Sequence, residues 1–276
     1  MKKILKGIIP AAGLGTRMRA FSQNIPKEML PIGKKLMIEY AIKDMIGSGI
    51  EEIAIITHPE KKIMNDYIYE FIKREYENKP KTPKIYFINQ TKRRGLAHAI
   101  YLAKDFIDQQ PFAVFLPDNL VQPPIEKKNI YQPLINLLFE RKVNTVAIEK
   151  VEDEEYANLF GNCGGIKFTS ISSLIFRIDE IADKKSGQFS LNGESFVYKI
   201  FARYFFLPEI FSYIENFMQT QDLQEYDDVP ILQQLAKEGK LYGVPYECRV
   251  YDVGNPKGYQ AAQRNFRNTY EARIFR

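Results

Sequence analysis

The chain has 276 residues, of which 45% are hydrophobic and 26% are charged. These values are typical of a globular protein long enough for one large α/β domain or two small ones. The net charge of +5 is spread along the chain. A mild positive excess of this kind suits small anionic ligands. Because the sequence shows no stripe of basic residues, we expect no nucleic-acid partner. No run of eighteen apolar residues occurs, which predicts no transmembrane helix and no membrane partner.

Cysteine usage bears on the cellular compartment. The two cysteines, Cys163 and Cys248, stand far apart in the sequence. This spacing indicates no disulfide framework and favours a reducing, cytoplasmic location. The apolar stretch after Met1-Lys2-Lys3 contains Lys6 and Gly7, and it is too short for a convincing secretory signal. Since the chain also has only two histidines, we expect no zinc site.

Predicted strands and helices alternate in the first half of the chain. Mostly apolar runs typical of buried strands occupy Ile4–Ile9, Glu51–Thr57, Lys84–Ile88 and Ala113–Leu116. Apolar residues at helical spacing occupy Leu36–Ser48, Lys61–Glu77 and Gly95–Phe106. This alternation predicts an α/β fold with a parallel sheet covered by helices on both faces.

Three polar segments follow predicted strands directly. They are Gly13–Lys27, Gln90–Gly95 and Asp118-Asn119. Ligands of open α/β sheets bind outside the carboxyl ends of the strands. The three segments therefore predict a single ligand site at that edge of the sheet.

The second half is richer in strand-like runs. Strands are predicted over Thr145–Lys150, Gly165–Phe168, Ser173–Ile178, Lys199–Leu207 and Gly243–Tyr251, and helices over Pro208–Phe217, Val229–Glu238 and Gly258–Thr269. No clean linker, internal repeat or low-complexity segment interrupts this order. We therefore expect one continuous domain over residues 1–276.

A glycine-rich turn follows the first predicted strand, where residues 11–31 read AAGLGTRMRAFSQNIPKEMLP. Gly13 and Gly15 allow the backbone to approach a ligand and to point N–H groups at it. With the cationic side chains of Arg17 and Lys27, this segment suits a polyphosphate. It is not a Walker-type GxxxxGK[ST] loop, and it lacks the third glycine of a dinucleotide-binding fingerprint.

The combination of GLGTR and PKEMLP resembles the signature of sugar-1-phosphate nucleotidyltransferases, and PKEMLP is most similar to their bacterial UTP–glucose-1-phosphate uridylyltransferase branch. The resemblance runs from Lys6 to about Phe266. It implies a Rossmann-like mixed, mainly parallel sheet flanked by helices, with a smaller β-rich part that binds the sugar. Residues 1–125 would bind the nucleotide, and residues 126–276 would form the sugar-binding and C-terminal half.

The resemblance also implies a reaction and an assembly. The reaction is transfer of a uridylyl group from UTP to a sugar-1-phosphate, glucose-1-phosphate by default, with release of pyrophosphate. Members of the family commonly form dimers or tetramers, so we expect a homo-oligomer. Phosphoryl transfer of this kind depends on positioning and charge neutralisation.

Four charged residues match the reaction centre of the family. Arg17 and Lys27 match its arginine and lysine on the phosphates, which makes them the catalytic candidates. Asp118 and Asp252 each follow an apolar strand and match the metal-binding pair of the family. Carboxylates at such positions suit Mg²⁺, which also takes phosphate oxygens of the substrate as ligands.

The nucleotide base has its own candidates. The amide of Gln90 offers a donor and an acceptor, as reading a pyrimidine edge requires. Gly95 lies in RGLAHA, which is similar to KGLGHA of the uridylyltransferases, and would let the base lie against backbone. The resemblance adds the backbone of the loop to this nucleotide site: Ala11, Ala12, Gly13 and Gly15.

The sugar-binding candidates depend on weaker matches. Asn119 could contact a sugar hydroxyl, Gly161 matches the glycine of a YG motif, and Glu225 aligns with a glutamate in a rewritten segment. Glu180 could match the glutamate of the Glu-Lys-Pro motif, but Ile181 stands where its lysine should be. In the family that lysine holds the sugar phosphate; here Lys184, Lys185 and Lys199 are the candidates for this role.

Two other functions stay open at this point. Thymidylyl or cytidylyl transfer would change only the base, and pyrimidine discrimination depends on few contacts. Loss of the sugar-phosphate lysine would also fit an inactive homologue that binds a nucleotide sugar and regulates a partner. Retention of Arg17, Lys27, Asp118 and Asp252 favours an enzyme over such a binding protein.

Overall fold

The computed structural model describes residues 4–122, 130–153, 165–182 and 195–274. Its first half contains the strands β1 (Lys6–Pro10), β2 (Pro31–Ile32), β3 (Lys35–Leu36), β4 (Glu52–Thr57), β5 (Lys84–Asn89), β6 (Phe112–Phe115) and β7 (Asn119–Gln122). The α-helices are Arg19–Ser22, Met37–Gly47, Lys62–Tyr76, Gly95–Tyr101 and Lys104–Ile107. The predicted alternation is confirmed. The segment Gly95–Phe106, predicted as one helix, contains two helices. They are separated at Ala103, whose N–H donates to the carbonyl three residues earlier, that of Ile100, instead of four.

The second half contains β8 (Asn144–Val151), β9 (Ile166–Ser172), β10 (Ile175–Ile181), β11 (Val197–Phe206), β12 (Leu241–Tyr246) and β13 (Arg249–Asp252). Its helices are Gln132–Arg141, Ile210–Thr220, Val229–Lys237 and Pro256–Ile274. The prediction missed the helix Gln132–Arg141, although Leu134 and Leu138 bury one face of it. The single strand predicted over Gly243–Tyr251 is two strands, because β13 leaves the main sheet to pair with β7.

Among the described residues, the main sheet has nine strands in the order β5-β4-β1-β6-β11-β8-β12-β10-β9. β1 pairs in parallel with β4 and β6, β4 with β5, and β8 with β12. β10 and β11 run opposite to the other strands. The predicted mixed, mainly parallel α/β fold is confirmed, and the carboxyl ends of β1, β4, β5 and β6 meet at one edge of the sheet.

Helices cover both faces of this sheet, and neighbouring residues of a strand point to opposite faces. Ile9 packs with the helices Met37–Gly47 and Lys62–Tyr76. Ile8 packs on the other face with the helices Gly95–Tyr101 and Ile210–Thr220. Within the described ranges, no helix is both long and apolar enough to cross a bilayer.

A third apolar cluster lies beside the sheet edge. It joins Met18 of the glycine-rich turn to Leu120 of β7, Tyr251 of β13 and Phe266 of the last helix. Burial of these side chains stabilises the small β7–β13 sheet next to the glycine-rich turn. This cluster therefore fixes the position of two segments on which the sequence predicted ligand contacts.

Candidate active site

The glycine-rich turn continues the β1–β4 pairing and then leaves the sheet. The N–H of Ala11 donates to the carbonyl of Ile56 at 2.7 Å. Ala11 and Ala12 are buried, whereas Gly13 is exposed. Gly15 has a φ of +66°, a left-handed conformation that a side chain would strain. The turn thus presents backbone to the solvent at the carboxyl end of β1.

Both predicted cations lie close to this turn. Arg17 lies in a short 3₁₀ helix, Thr16–Met18. The side chain of Met18 is buried, whereas that of Arg17 is exposed to solvent. A Cβ added to Gly15 would lie 3.1 Å from Cγ of Lys27. Lys27 therefore packs directly against the glycine-rich turn, as the polyphosphate hypothesis requires.

A buried ion pair, which the sequence analysis missed, contacts the start of the turn. Lys61 donates to Oε2 of Glu28 at 2.8 Å and to the carbonyl of Ala11 at 2.6 Å. Lys61 is 6% exposed and Glu28 is 1% exposed. Burial lowers the pKa of Lys61, and the charge of Glu28 opposes that shift. This pair fastens the segment next to Lys27 to the end of β1.

Asp118 and Asp252 converge although they are distant in sequence. Asp118 follows β6, and the register of β13 with β7 sets Asp252 opposite Asn119. The N–H of Val253 donates to the carbonyl of Asp118 at 2.8 Å. The position of a Cβ on Gly254 lies 2.7 Å from Oδ2 of Asp118 and 3.0 Å from Oδ1 of Asp252. Both carboxylates therefore face the same small space, which a side chain at residue 254 would fill.

The electrostatics of this pair suit a cation. Lys27 donates to Oδ2 of Asp118 at 2.6 Å. Burial is the largest influence and disfavours both charges. It is outweighed by the opposite charges around each group together, which are mainly those of this pair, so the pKa of Lys27 is raised and that of Asp118 is lowered. Burial, and then the charge of Asp118, raise the pKa of Asp252. The two carboxylates thus lie near each other beside one half-buried lysine, and a divalent cation would relieve their repulsion.

The donor set fits a cation that also binds substrate. No group of three or more His, Cys, Asp or Glu side chains with metal-binding potential occurs among the described residues. Two carboxylates are what Mg²⁺ commonly takes from a protein when phosphate oxygens and water supply its other ligands. The residues present therefore fit the predicted ion.

Arg203 is a further residue without a sequence signal. It is 2% exposed, and its guanidinium donates to the carbonyls of Leu116 and Asn119 at 3.3 and 3.0 Å. Its Nε donates to Oδ2 of Asp44 at 2.6 Å. Arg203 thus holds both ends of the turn that carries Asp118. The same turn is held by Oδ1 of Asn119, which accepts a hydrogen bond from backbone; contact of Asn119 with a sugar stays a prediction.

Gln90 and Gly95 meet at the end of β5. Nε2 of Gln90 donates to the carbonyl of Gly95 at 3.0 Å and lies 2.9 Å from Nδ1 of His98. Burial, and then the charge of Arg94, lower the pKa of His98, which keeps its ring neutral at pH 7. Gln90 is only 3% exposed, so these contacts fix the orientation of its amide.

The candidates for sugar binding do not all lie together in the structure. Glu225 is exposed and precedes Tyr226, whose N–H donates to the carbonyl of Arg94 at 2.8 Å, so the fold brings it next to the Gly95 turn. Glu180 is exposed on β10 and pairs with Lys167 of β9 at 2.7 Å. Gly161, Lys184 and Lys185 lie outside the described residues.

Lys199 was the remaining candidate for the sugar phosphate. It is 1% exposed, and its Nζ lies 3.4 Å from Oε1 of Glu149. Oε2 of Glu149 accepts a hydrogen bond from the N–H of Val250, at the start of the strand that ends in Asp252. Lys199 is therefore buried, and its ammonium is directed at Glu149.

The chain is similar to known proteins in both sequence and fold. The chain is 31% identical to UTP–glucose-1-phosphate uridylyltransferase of Bacillus subtilis (strain 168), over 94% of this chain and 89% of that protein. It is 30% identical to the enzyme of the same name from Staphylococcus epidermidis, over 94% and 91%. A crystal structure of UDP-glucose pyrophosphorylase complexed with UDP-glucose superposes with a TM-score of 0.79, 26% identity and coverage of 97% and 100%. The family described as nucleotidyl transferase matches residues 6–269. The chain, with its glycine-rich turn beside a largely buried carboxylate pair, belongs to the nucleotidyl transferase family.

Proposed function

We propose that this protein transfers the uridylyl group of UTP to a sugar-1-phosphate, glucose-1-phosphate in the first instance, and releases pyrophosphate. The observation that carries the proposal is the convergence of Asp118 and Asp252 beside Lys27 and the glycine-rich turn. The printed activity of relatives about 30% identical over nearly the whole chain supports the choice of UTP and glucose-1-phosphate.

In this proposal, the residues of the chain mainly bind and orient. The turn from Ala12 to Gly15 offers backbone N–H groups to the triphosphate, and Arg17 and Lys27 neutralise its charge. Ala11, which the sequence placed in the same pocket, has its N–H and its carbonyl bonded to Ile56 and Lys61 instead. Gln90 and the backbone of Gly95 orient the pyrimidine. Asp118 and Asp252 would hold Mg²⁺, which supplies neutralisation of phosphate charge when bound.

The acceptor is a sugar phosphate, whose oxygen is already an anion at neutral pH. No general base is therefore required, and alignment of this oxygen with the α-phosphorus is the main task. We assign contacts with the acceptor to Asn119, Gly161, Glu180, Glu225 and Lys185. Among these, Glu225 has the strongest support, because its neighbour Tyr226 contacts the Gly95 turn.

The test is a pyrophosphate-release assay with each of the four ribonucleoside triphosphates and dTTP, several sugar-1-phosphates, and either Mg²⁺ or a chelator. We expect release with UTP and glucose-1-phosphate that depends on Mg²⁺. Preference for dTTP or CTP would identify a thymidylyl- or cytidylyltransferase instead. Release from no pair, together with binding of a UDP-sugar, would identify a regulatory binding protein and contradict the proposal.

Two further expectations accompany this function. The cysteine content supports a cytoplasmic location. A homo-oligomer, either a dimer or a tetramer, is expected from the family resemblance. Light scattering on the purified chain would measure its mass in solution directly.

A further inference from the structure

Tyr226 joins two segments that come from opposite halves of the chain. Its N–H donates to the carbonyl of Arg94 at 2.8 Å, and its carbonyl accepts from the N–H of Ala97 at 2.9 Å. Gly95 lies between these two bonds with a φ of +87°. A Cβ on Gly95 would lie 2.5 Å from the carbonyl oxygen of Tyr226, so the peptide of Tyr226 is in direct contact with this glycine.

The side chain of Tyr226 makes the same connection a second time. The guanidinium of Arg94 lies 4.8 Å from the centre of the ring, and its Nη2 donates to the phenol oxygen at 2.9 Å. The phenol in turn donates to the carbonyl of Gln221 at 2.9 Å. Tyr226 is 2% exposed, so its hydroxyl is buried with both hydrogen-bonding functions satisfied. Cation–π and hydrogen-bond contacts to one arginine fix the ring in place.

These contacts reach both predicted subsites. The carbonyl of Gly95 accepts from Nε2 of Gln90 at 3.0 Å, so a displacement of Tyr226 would be transmitted to the amide that orients the pyrimidine. Glu225, the acceptor-side candidate, is the adjacent residue and shares a peptide bond with Tyr226. Tyr226 therefore contacts the Gly95 turn directly and is linked through the chain to the acceptor-side candidate.

We infer that Tyr226 is a positioning residue that couples the nucleotide subsite to the sugar-phosphate subsite. The inference rests on the proposed function. It predicts that removal of the phenol hydroxyl alone weakens use of both substrates, although the hydroxyl is buried away from either. No local pattern in the sequence indicates this role, because Tyr226 acts through Arg94, which is 132 residues away.

The experiment compares wild type, Tyr226→Phe, Arg94→Met and the double variant in the pyrophosphate-release assay. Loss of the buried hydroxyl should raise KM for UTP and for glucose-1-phosphate about three- to tenfold. The double variant should be no worse than the more affected single variant, because both break the same link. Arg94→Met breaks the link from the other half, so the test does not depend on one variant.

The matched control is Tyr213→Phe. Its hydroxyl also accepts a hydrogen bond, from Lys240 at 2.7 Å, but its partners all lie in the second half. We expect wild-type KM values for this variant. Thermal unfolding of every variant shows the temperature below which each is folded, and the assay is run there.

Four results would overturn the inference. Unchanged KM values for both substrates in Tyr226→Phe, with or without a lower unfolding temperature, would leave only a structural role. A change for one substrate alone would contradict coupling. Additive effects in the double variant would show that the residues act independently. An inactive wild type would overturn the proposed function as well, which separates that failure from the other three.

Discussion

The ion pair between Lys27 and Asp118 partly neutralises the negative charge of this site. Their 2.6 Å contact lies next to Asp252, so one ammonium faces two carboxylates at the carboxyl edge of the sheet. A bound cation would take over part of this neutralisation and leave Lys27 available to phosphate. The charge of Asp118, and not only its shape, should therefore be essential.

We predict that Asp118→Asn reduces uridylyl transfer by about 100-fold or more, because an amide of the same shape cannot neutralise a cation. Pyrophosphate release at saturating substrates measures the effect. Asp105→Asn is the control, since Asp105 is exposed on the short helix before β6 and should retain full activity. Turnover close to wild type in Asp118→Asn would contradict the metal assignment.

The Lys61–Glu28 pair makes a second residue-scale prediction, this time on stability. Lys61→Met leaves the carboxylate of Glu28 buried without its partner, which should lower the free energy of unfolding by about 3 kcal/mol. Urea denaturation measures this change. Lys62→Met alters the adjacent exposed lysine and should change stability by less than about 0.5 kcal/mol. Equal effects of the two substitutions would show that the buried pair contributes little.

At the scale of elements, short connections determine where the functional side chains lie. The turn between β5 and the helix Gly95–Tyr101 requires a left-handed residue in contact with Tyr226. The turn between β6 and β7 is held by Arg203. In both cases the strand and the following element set the direction of the chain. The turn between them is then held in position by a residue from the second half of the sequence.

Gly95→Ala tests the first of these turns. The added methyl group meets backbone at 2.5 Å, so we expect a loss of about 1–3 kcal/mol in stability and weaker binding of UTP. Isothermal titration with UTP and urea denaturation measure the two effects. The control is Gly47→Ala at the end of the helix Met37–Gly47, where a Cβ meets nothing within 4 Å. That substitution should be neutral or stabilising by up to about 1 kcal/mol, and a similar loss in both variants would refute this account.

At the scale of the whole molecule, the main sheet takes strands from both halves of the sequence. β6 pairs with β11, and β11 pairs with β8, so neither half completes the sheet alone. The candidate site has the same character, since Asp118 and Gln90 come from the first half and Asp252 and Tyr226 from the second. We therefore continue to expect one domain over residues 1–276.

A single domain of this kind should unfold in one cooperative transition. The chain has 17 tyrosines and no tryptophan, so tyrosine fluorescence reports tertiary structure and far-ultraviolet circular dichroism reports helices. We predict that the two signals give the same midpoint in urea. Two separate midpoints would indicate that the nucleotide-binding and sugar-binding halves unfold independently.

Much of the fold was predictable because its signals are local. Periodicity gave most of the elements, since alternating apolar runs depend only on neighbouring residues. It did not distinguish β12 from β13, because the change of sheet after Tyr246 depends on pairing with β7, more than a hundred residues earlier in the chain. It also left out the helix Gln132–Arg141, whose apolar spacing was present in the sequence.

The sequence by itself determined the type of chemistry in this protein. Gly13, Gly15, Arg17 and Lys27 lie within one short segment, and a glycine-rich turn with cations predicts phosphate binding without reference to the rest of the chain. Only the tertiary structure decided how that chemistry is assembled. Asp118 meets Asp252 through strand pairing, and Lys61, Arg203 and Tyr226 gain their roles from partners far away in sequence. A local pattern cannot encode such contacts, because burial and pairing are properties of the folded chain.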